Sequence, residues 1–334
     1  GTTGSVSSSS VLTLGSGRLV VNRSDAFTQA FASTALTGGG SVSAGASNTV
    51  NFGAITRSAG GTLDIATTGS FITSSANVNG ILAGITYGGT TWAVSGTTTA
   101  ITGLATGSYT TTTTNGNTAG NYAATQNIDV TSSPTLSGAI AANSLRFAGA
   151  AAQTLTGAST VGGGILVTAG VGANLSTITG GTLAGSSGGD LVVIQNNTAA
   201  GLTISSTIVN NTSATALTKS GPGLLTLAAS NSYTGGTRLN DGTLSFVNGG
   251  LGASGNVTLA GGTLQWATGN TQDISSRIAL VPGGVATLDT NGNSFTLATT
   301  IGSSAAAQFV KVGSGALIVT TNNTAGLTVN AGRV

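Results

Sequence analysis

Cysteine, methionine, histidine and glutamate are all absent from this 334-residue chain, and charge is confined to nine Lys or Arg and seven Asp. Each absence removes a class of chemistry. Without histidine there is no imidazole base at neutral pH and no usual metal ligand. Without cysteine there is no thiolate nucleophile, disulfide framework, zinc–thiolate site or iron–sulfur cluster. The nine cations are scattered and form no basic stripe, so nucleic acid is not an expected partner despite a sequence pI near 9.3. Apolar residues come in runs of four or fewer, such as Leu191 to Ile194, far short of the ~18 a membrane helix needs. No membrane insertion by this segment is expected. The chain starts at Gly1 without Met and shows no signal peptide, so it reads as a processed or internal segment. With no Cys or Met to oxidise, it suits an exposed, extracellular setting.

What is present is mostly Thr (59), Ser (39) and Gly (55), close to half of the chain. Disordered chains are poor in apolar residues and rich in Pro and charge, whereas this one has 39% hydrophobic residues and 3 Pro, so it should fold. Internal repeats dominate its organisation. Gly-Gly-Thr-Leu occurs at Gly60, Gly180 and Gly261, with a variant at Asp241 to Leu244. A longer unit runs from Lys219 through Gly221, Gly223, Leu225 and Leu227, and is echoed from Lys311 through Gly313 and Gly315 to Val319. A fainter echo covers Leu12 to Val20.

Each unit holds β-branched or aliphatic stretches of three to five residues punctuated by Gly-Gly, Asn-Gly, Asp-Gly or Gly-Pro, with no sustained helical spacing. Strands this short are best accommodated by coils of roughly 20 residues, each strand pairing in parallel with its equivalent one turn later. The expectation is an all-β, elongated parallel β-helix, a single solenoid over residues 1–334. At ~20 residues per coil and ~4.8 Å between coils it has about 16 rungs and is roughly 80 Å long. Stacking also accounts for the missing charge, because a repeated Lys or Glu would face its own copy across ~5 Å. The charges are therefore expected to lie out of register with one another.

Residues 81–126 fit the repeat poorly and read as an insertion or a set of wider rungs. Tyr87, Trp92 and Tyr109 within it either form an exposed binding patch or fill core, and large apolar rings are normally buried. The run Thr110 to Thr114 is a candidate O-glycan site, while the Asn-x-Ser/Thr triplets at Asn22, Asn174, Asn196, Asn210, Asn256 and Asn322 read as polar turns.

The stretch from Lys219 to Leu264 resembles the autotransporter-associated β-strand repeat, also called the passenger-associated transport repeat. The residues that carry the resemblance are Lys219, Gly221, Gly223, Leu225 and Leu227, then Tyr233, Gly235 and Gly236, then Gly242 and Leu244. A degenerate copy contains Lys311, Gly313 and Gly315. The resemblance implies a right-handed parallel β-helix that is secreted or displayed on a bacterial surface, usually within a large adhesin or surface-layer protein. The alternating strands and aromatic girdles of a membrane barrel are not among these residues.

Motifs with catalytic associations have simpler explanations here. Gly250 to Gly255 fits G-x-G-x-x-G, but a strand rather than a helix is expected after it, so it reads as a turn. Gly185 to Gly189 fits G-x-S-x-G, yet no histidine exists to activate the serine. A glycan-active β-helix enzyme would need clustered carboxylates. Asp64 and Asp289 share a Thr-Leu-Asp context but lie about eleven rungs apart, and Asp273 with Asp289 and Arg277 reads as a surface ion pair. Calcium-binding nonapeptide repeats are missing. No catalytic residue, metal or cofactor is expected.

The functional expectation is an extracellular structural solenoid, not an enzyme, whose partner is itself. Val334 falls at the position of Leu244, inside a repeat, and Val11 to Val21 already reads as a repeat strand. Uncapped coils expose unpaired backbone groups and favour end-to-end addition into filaments. The alternative is a monomeric adhesin passenger fragment that attaches through residues 81–126, with cell-surface glycans as a possible partner.

Overall fold

The structure, a computed structural model, describes residues 5–96, 100–112, 122–133, 135–301, 307–322 and 325–334. Short strands follow one another around successive coils, each pairing in parallel with the strand one turn later. In the opening coils three faces repeat. Val11–Leu14 pairs with Ser33–Leu36 and that with Ala54–Arg57. Gly17–Val21 pairs with Gly39–Ala44 and that with Thr62–Ile65. Phe27–Ala30 pairs with Asn48–Asn51 and that with Ser70–Ile72. The alternation of Val, Leu or Ile with Thr or Ser on these strands sends one side chain inward and the next outward. The inward set (Leu36, Val42, Val50, Phe52, Leu63 and Ile65) is almost fully buried in one core.

Parallel winding stops at Ile85–Tyr87. This strand pairs in parallel with Thr62–Ile65 but antiparallel with Thr91–Ser95, which pairs antiparallel with Ile101–Gly103. Gly88 and Gly89, at φ +60° and +65°, carry the reversal through a conformation few other residues tolerate. Parallel coiling then resumes from Thr110–Thr111 and Asn127–Asp129 and continues to Gly326–Val329 around a second, larger core.

The result is a β-solenoid of about 13 turns rather than the expected 16. Coils are longer and less uniform than the assumed 20 residues. Asn127 lies opposite Ser144, a step of 17 residues, while Ile165 lies opposite Val193, a step of 28. The turns also stand in two stacks side by side rather than in single file. Gly60 of the first stack, for example, accepts a 2.8 Å hydrogen bond from Asn240 of the second. Among the described residues no helix is long and apolar enough to cross a membrane.

Charges are not all out of register. Asp129 sits directly opposite Arg146 across one rung, and the two form an ion pair with 2.6 Å between Oδ2 and Nη2. The signs are opposite, so the contact that stacking makes repulsive for like charges is here attractive.

Candidate functional site

Lys219 lies on Ala216–Ser220, in a column whose neighbouring positions are Val193 on one side and Leu239 on the other. A lysine in an aliphatic column must find acceptors for its ammonium or leave a buried charge unpaired. It finds three backbone carbonyls: Gly221 at 2.6 Å, Asp241 at 3.0 Å and Ser220 at 3.1 Å. The side chain is fully buried, and burial pushes its pKa from 10.5 down to about 7, with the Asp241 charge opposing. Lys311 repeats the arrangement ninety-two positions later. Its ammonium donates to the carbonyls of Val312 at 2.7 Å, Gly313 at 2.8 Å and Ala331 at 3.1 Å, and to Thr290 Oγ1 at 3.0 Å. Burial lowers this pKa too.

The cage dictates a glycine one coil later. A Cβ on Gly242, at φ +70°, would stand 2.4 Å from Gly221 O, 2.6 Å from Gly223 O and 2.7 Å from Lys219 Nζ. At Gly332, φ +74°, it would stand 2.4 Å from Gly315 O, 2.5 Å from Gly313 O and 2.7 Å from Lys311 Nζ. Two separate stretches of sequence thus build the same corner from Lys-x-Gly-x-Gly and a following glycine.

A family model described as the passenger-associated-transport-repeat matches residues 217–246 and 309–334, the segments that hold these two corners. The chain carries passenger-associated transport repeats. It is also similar to the adhesin BmaC autotransporter of Brucella suis biovar 1 (strain 1330), 37% identical over 149 residues. That match covers 41% of this chain and 4% of the adhesin, so the chain corresponds to a small part of that protein. No solved structure matches.

The other residues of the transport repeat take structural places. Leu225, Leu227 and Leu244 are fully buried, with Leu225 opposite Leu244 and Leu227 opposite Phe246. Tyr233 is buried and its hydroxyl shares a 2.6 Å bond with Thr237; burial raises its pKa. Gly235 and Gly236 turn the chain between Tyr233 and the strand Thr237–Leu239, with Gly235 N donating to Thr215 O at 2.8 Å. Gly223 N donates to Gln195 O one coil earlier, also at 2.8 Å.

The second candidate region is the seam between the stacks. Arg57 donates to Asp190 Oδ1 at 2.8 Å, and Gly60 N and Thr218 Oγ1 complete that carboxylate at Oδ2. Thr62 and Ser220 hydroxyls meet at 2.7 Å, and Asn196 Nδ2 donates to Gly89 O at 2.9 Å. Moving forward through Gly39, Thr62 and Gly89 means moving backward through Asn240, Ser220 and Asn196, so the stacks run antiparallel. Gly60 permits the closest approach, since a Cβ there would fall 2.1 Å from Arg238 Cδ.

Trp92 and Tyr109 do not form an exposed patch. Both are buried, and with Ile81 they pack against Leu166, Val192 and Ile194 in a small core. Tyr109 Oη bonds Thr91 Oγ1 at 2.8 Å, and the Arg146 guanidinium lies 3.8 Å from the centre of its ring. Tyr87 is half-buried. The rings are the largest apolar surfaces in the segment, and joining the stacks removes them from water. In the Thr110 to Thr114 run, Thr111 is exposed and Thr112 buried, while Thr113 and Thr114 lie outside the described residues, as do residues 97–99 and 113–121 of the irregular segment.

Arg277 is not joined to Asp273 or Asp289; its guanidinium donates to the carbonyls of Leu251, Gly252, Ser254 and Gly255. Gly250 to Gly255 is a turn followed by the strand Val257–Leu259. Sequence reasoning missed Arg57 and Asp190, which are 133 positions apart and belong to no repeated motif.

Proposed function

We propose that the chain is a structural scaffold segment of a bacterial surface adhesin, displayed outside the cell and without catalytic activity. The observation that carries this reading is how its charged side chains are used. Both lysines are sunk into carbonyl cages, Arg277 cross-links backbone carbonyls, and Arg57 and Arg146 close onto buried carboxylates. These side chains tie coil to coil and stack to stack. The similarity to an adhesin autotransporter supports the surface location.

The test is display on the bacterial surface by fusion ahead of an outer-membrane barrel. Added trypsin should leave the region from Lys219 to Lys311 intact although it contains Lys219, Arg238, Arg277 and Lys311; rapid cleavage there rejects a rigid scaffold. Incubation with acidic polysaccharides should release no new reducing or unsaturated ends, and release would assign the chain to the glycan-active enzymes instead.

A second reading, end-to-end association of copies into filaments, is favoured by a groove of about 350 Å³ where Leu288, Phe309, Leu317 and Leu327 stand beside Lys311 and Asn322. Negative-stain images showing only discrete particles at high protein concentration would reject it.

A further inference from the structure

Five of the seven aspartates use both carboxylate oxygens on protein donors. Asp25 is held by Arg23 and Asp129 by Arg146. Asp190 is held by Arg57, Gly60 and Thr218. Asp273 takes the N–H groups of Ser275 and Ala298, and Asp289 those of Asn291 and the Gln265 amide. Asp64 and Asp241 differ. Asp64 Oδ1 accepts from Thr86 Oγ1 and Gly89 N, both at 2.7 Å, and Asp241 Oδ1 accepts from Gly242 N at 2.7 Å. Among the described residues the second oxygen of each has no protein donor. The two sit far apart in sequence, on different stacks, yet both line one cleft of about 510 Å³ between the stacks.

Polar side chains stand on both of its walls, among apolar ones such as Leu63, Ile194 and Pro222. Ser41, Asp64 and Thr86 stand in register on three consecutive strands of the first stack, facing Asn196, Ser220 and Asp241 on the second. Glycines make up much of the rest, including Gly17, where a Cβ would meet nothing within 4 Å. No lysine or arginine lines the cleft, and Arg18, in register with Ser41, donates to Ser43 instead. The lining therefore offers two negative groups, hydroxyls and amides, in a volume suited to a small organic ligand. It is too roomy for a bare ion, and among the described residues no three acidic groups converge as a metal site would ask. Burial raises the Asp64 pKa, so a ligand that brings a positive donor to its free oxygen relieves a charge the protein leaves half-solvated.

We propose that this cleft binds an amino sugar, its ammonium on Asp64 Oδ2 and its hydroxyls shared among Ser41, Asn196 and Asp241. The chemistry required is a polyhydroxylated ligand with positive charge, and an acidic sugar is repelled by both carboxylates.

The experiment is calorimetric titration of the full chain with the β-1,4-linked disaccharide of glucosamine, beside the glucose disaccharide, glucuronic acid and calcium. The glucosamine disaccharide should bind, Asp64→Asn should weaken it about tenfold, the effect of losing one charge-assisted hydrogen bond, and glucuronic acid should not bind. Ser41→Trp, which fills the cleft from a half-exposed strand position, should abolish binding and serves if Asp64→Asn misfolds. No heat with the glucosamine disaccharide, equal affinity for the glucose disaccharide or glucuronic acid, binding of calcium alone, or affinity unchanged by both substitutions overturns the proposal. Trypsin resistance, the readout of the scaffold role, does not depend on any of these results.

Discussion

The first stack winds in even steps of 21 to 23 residues, as in Phe27 to Asn48 and Gly17 to Gly40, whereas the second varies from 17 to 28. Yet both matches to the transport repeat lie in the second. Regular coiling and a visible repeat are therefore separate properties. A uniform coil can be built from many mixtures of Val, Leu, Thr and Ser, because each inward position asks only for a suitable apolar volume. A carbonyl-caged lysine asks for particular residues: Lys219, Gly221 whose carbonyl receives its ammonium, and Gly242 where no Cβ fits. What repeats in sequence is corner chemistry, and what repeats in the first stack is shape.

The sharpest way to separate the two is to damage each where it is strongest. Phe52 is fully buried in the first core and stacks on Phe71 with ring centres 6.3 Å apart. Phe52→Ala should cost about 4 kcal/mol, read as lost amide-exchange protection in residues 11–87 while the coils around Lys219 keep theirs. Equal loss in both would show that the stacks unfold as one unit.

Next in size is the seam. Arg57→Ala leaves the buried Asp190 carboxylate without its counter-ion and should cost about 3 kcal/mol. Small-angle scattering should show an expanded particle with unchanged β content, and an unchanged radius would mean that the remaining contacts hold the stacks together.

Glycines provide a graded comparison. Gly242→Ala combines a left-handed φ with contacts under 3 Å and should cost about 2–3 kcal/mol in thermal unfolding. Gly269 has φ +81° but open space around it, so Gly269→Ala should cost at most about 1 kcal/mol. Equal costs would remove the corner explanation of the repeat.

A further comparison is with pH. Lys219 titrates near 7 when folded and near 10.5 when unfolded, so between those values the unfolded chain binds more protons. Stability of the second stack should rise with pH, by about 2 kcal/mol from pH 7 to 9, and fall again as pH returns to 7. Lys219→Met should flatten this slope.

Much of the fold was legible because short β-branched stretches between glycine pairs leave few options besides parallel coiling. Lys219 to Leu244 and Lys311 to Gly315 were legible because their corner is chemically strict. The number of coils was not, since coil length is set by corner loops of changing size, such as the 28-residue step from Ile165 to Val193. Nor was the reversal at Gly88 and Gly89, a dipeptide that reads as one more corner among many. The seam depends on Arg57, Asp190, Asn196 and Asn240, each an ordinary residue until the fold brings them together. Asp64 was weighed with Asp289 rather than with Asp241 for the same reason: the cleft that Asp64 and Asp241 share exists only because the stacks lie side by side.

That lateral packing has a mechanical consequence. A solenoid in single file gains reach with every coil, but it bends easily, because only one core's width resists curvature. Doubling the chain back gives up that reach for breadth, and resistance to bending grows much faster than linearly with breadth. Bending toward or away from the seam would stretch one stack and compress the other, so the hydrogen bonds between them act as a web between two flanges.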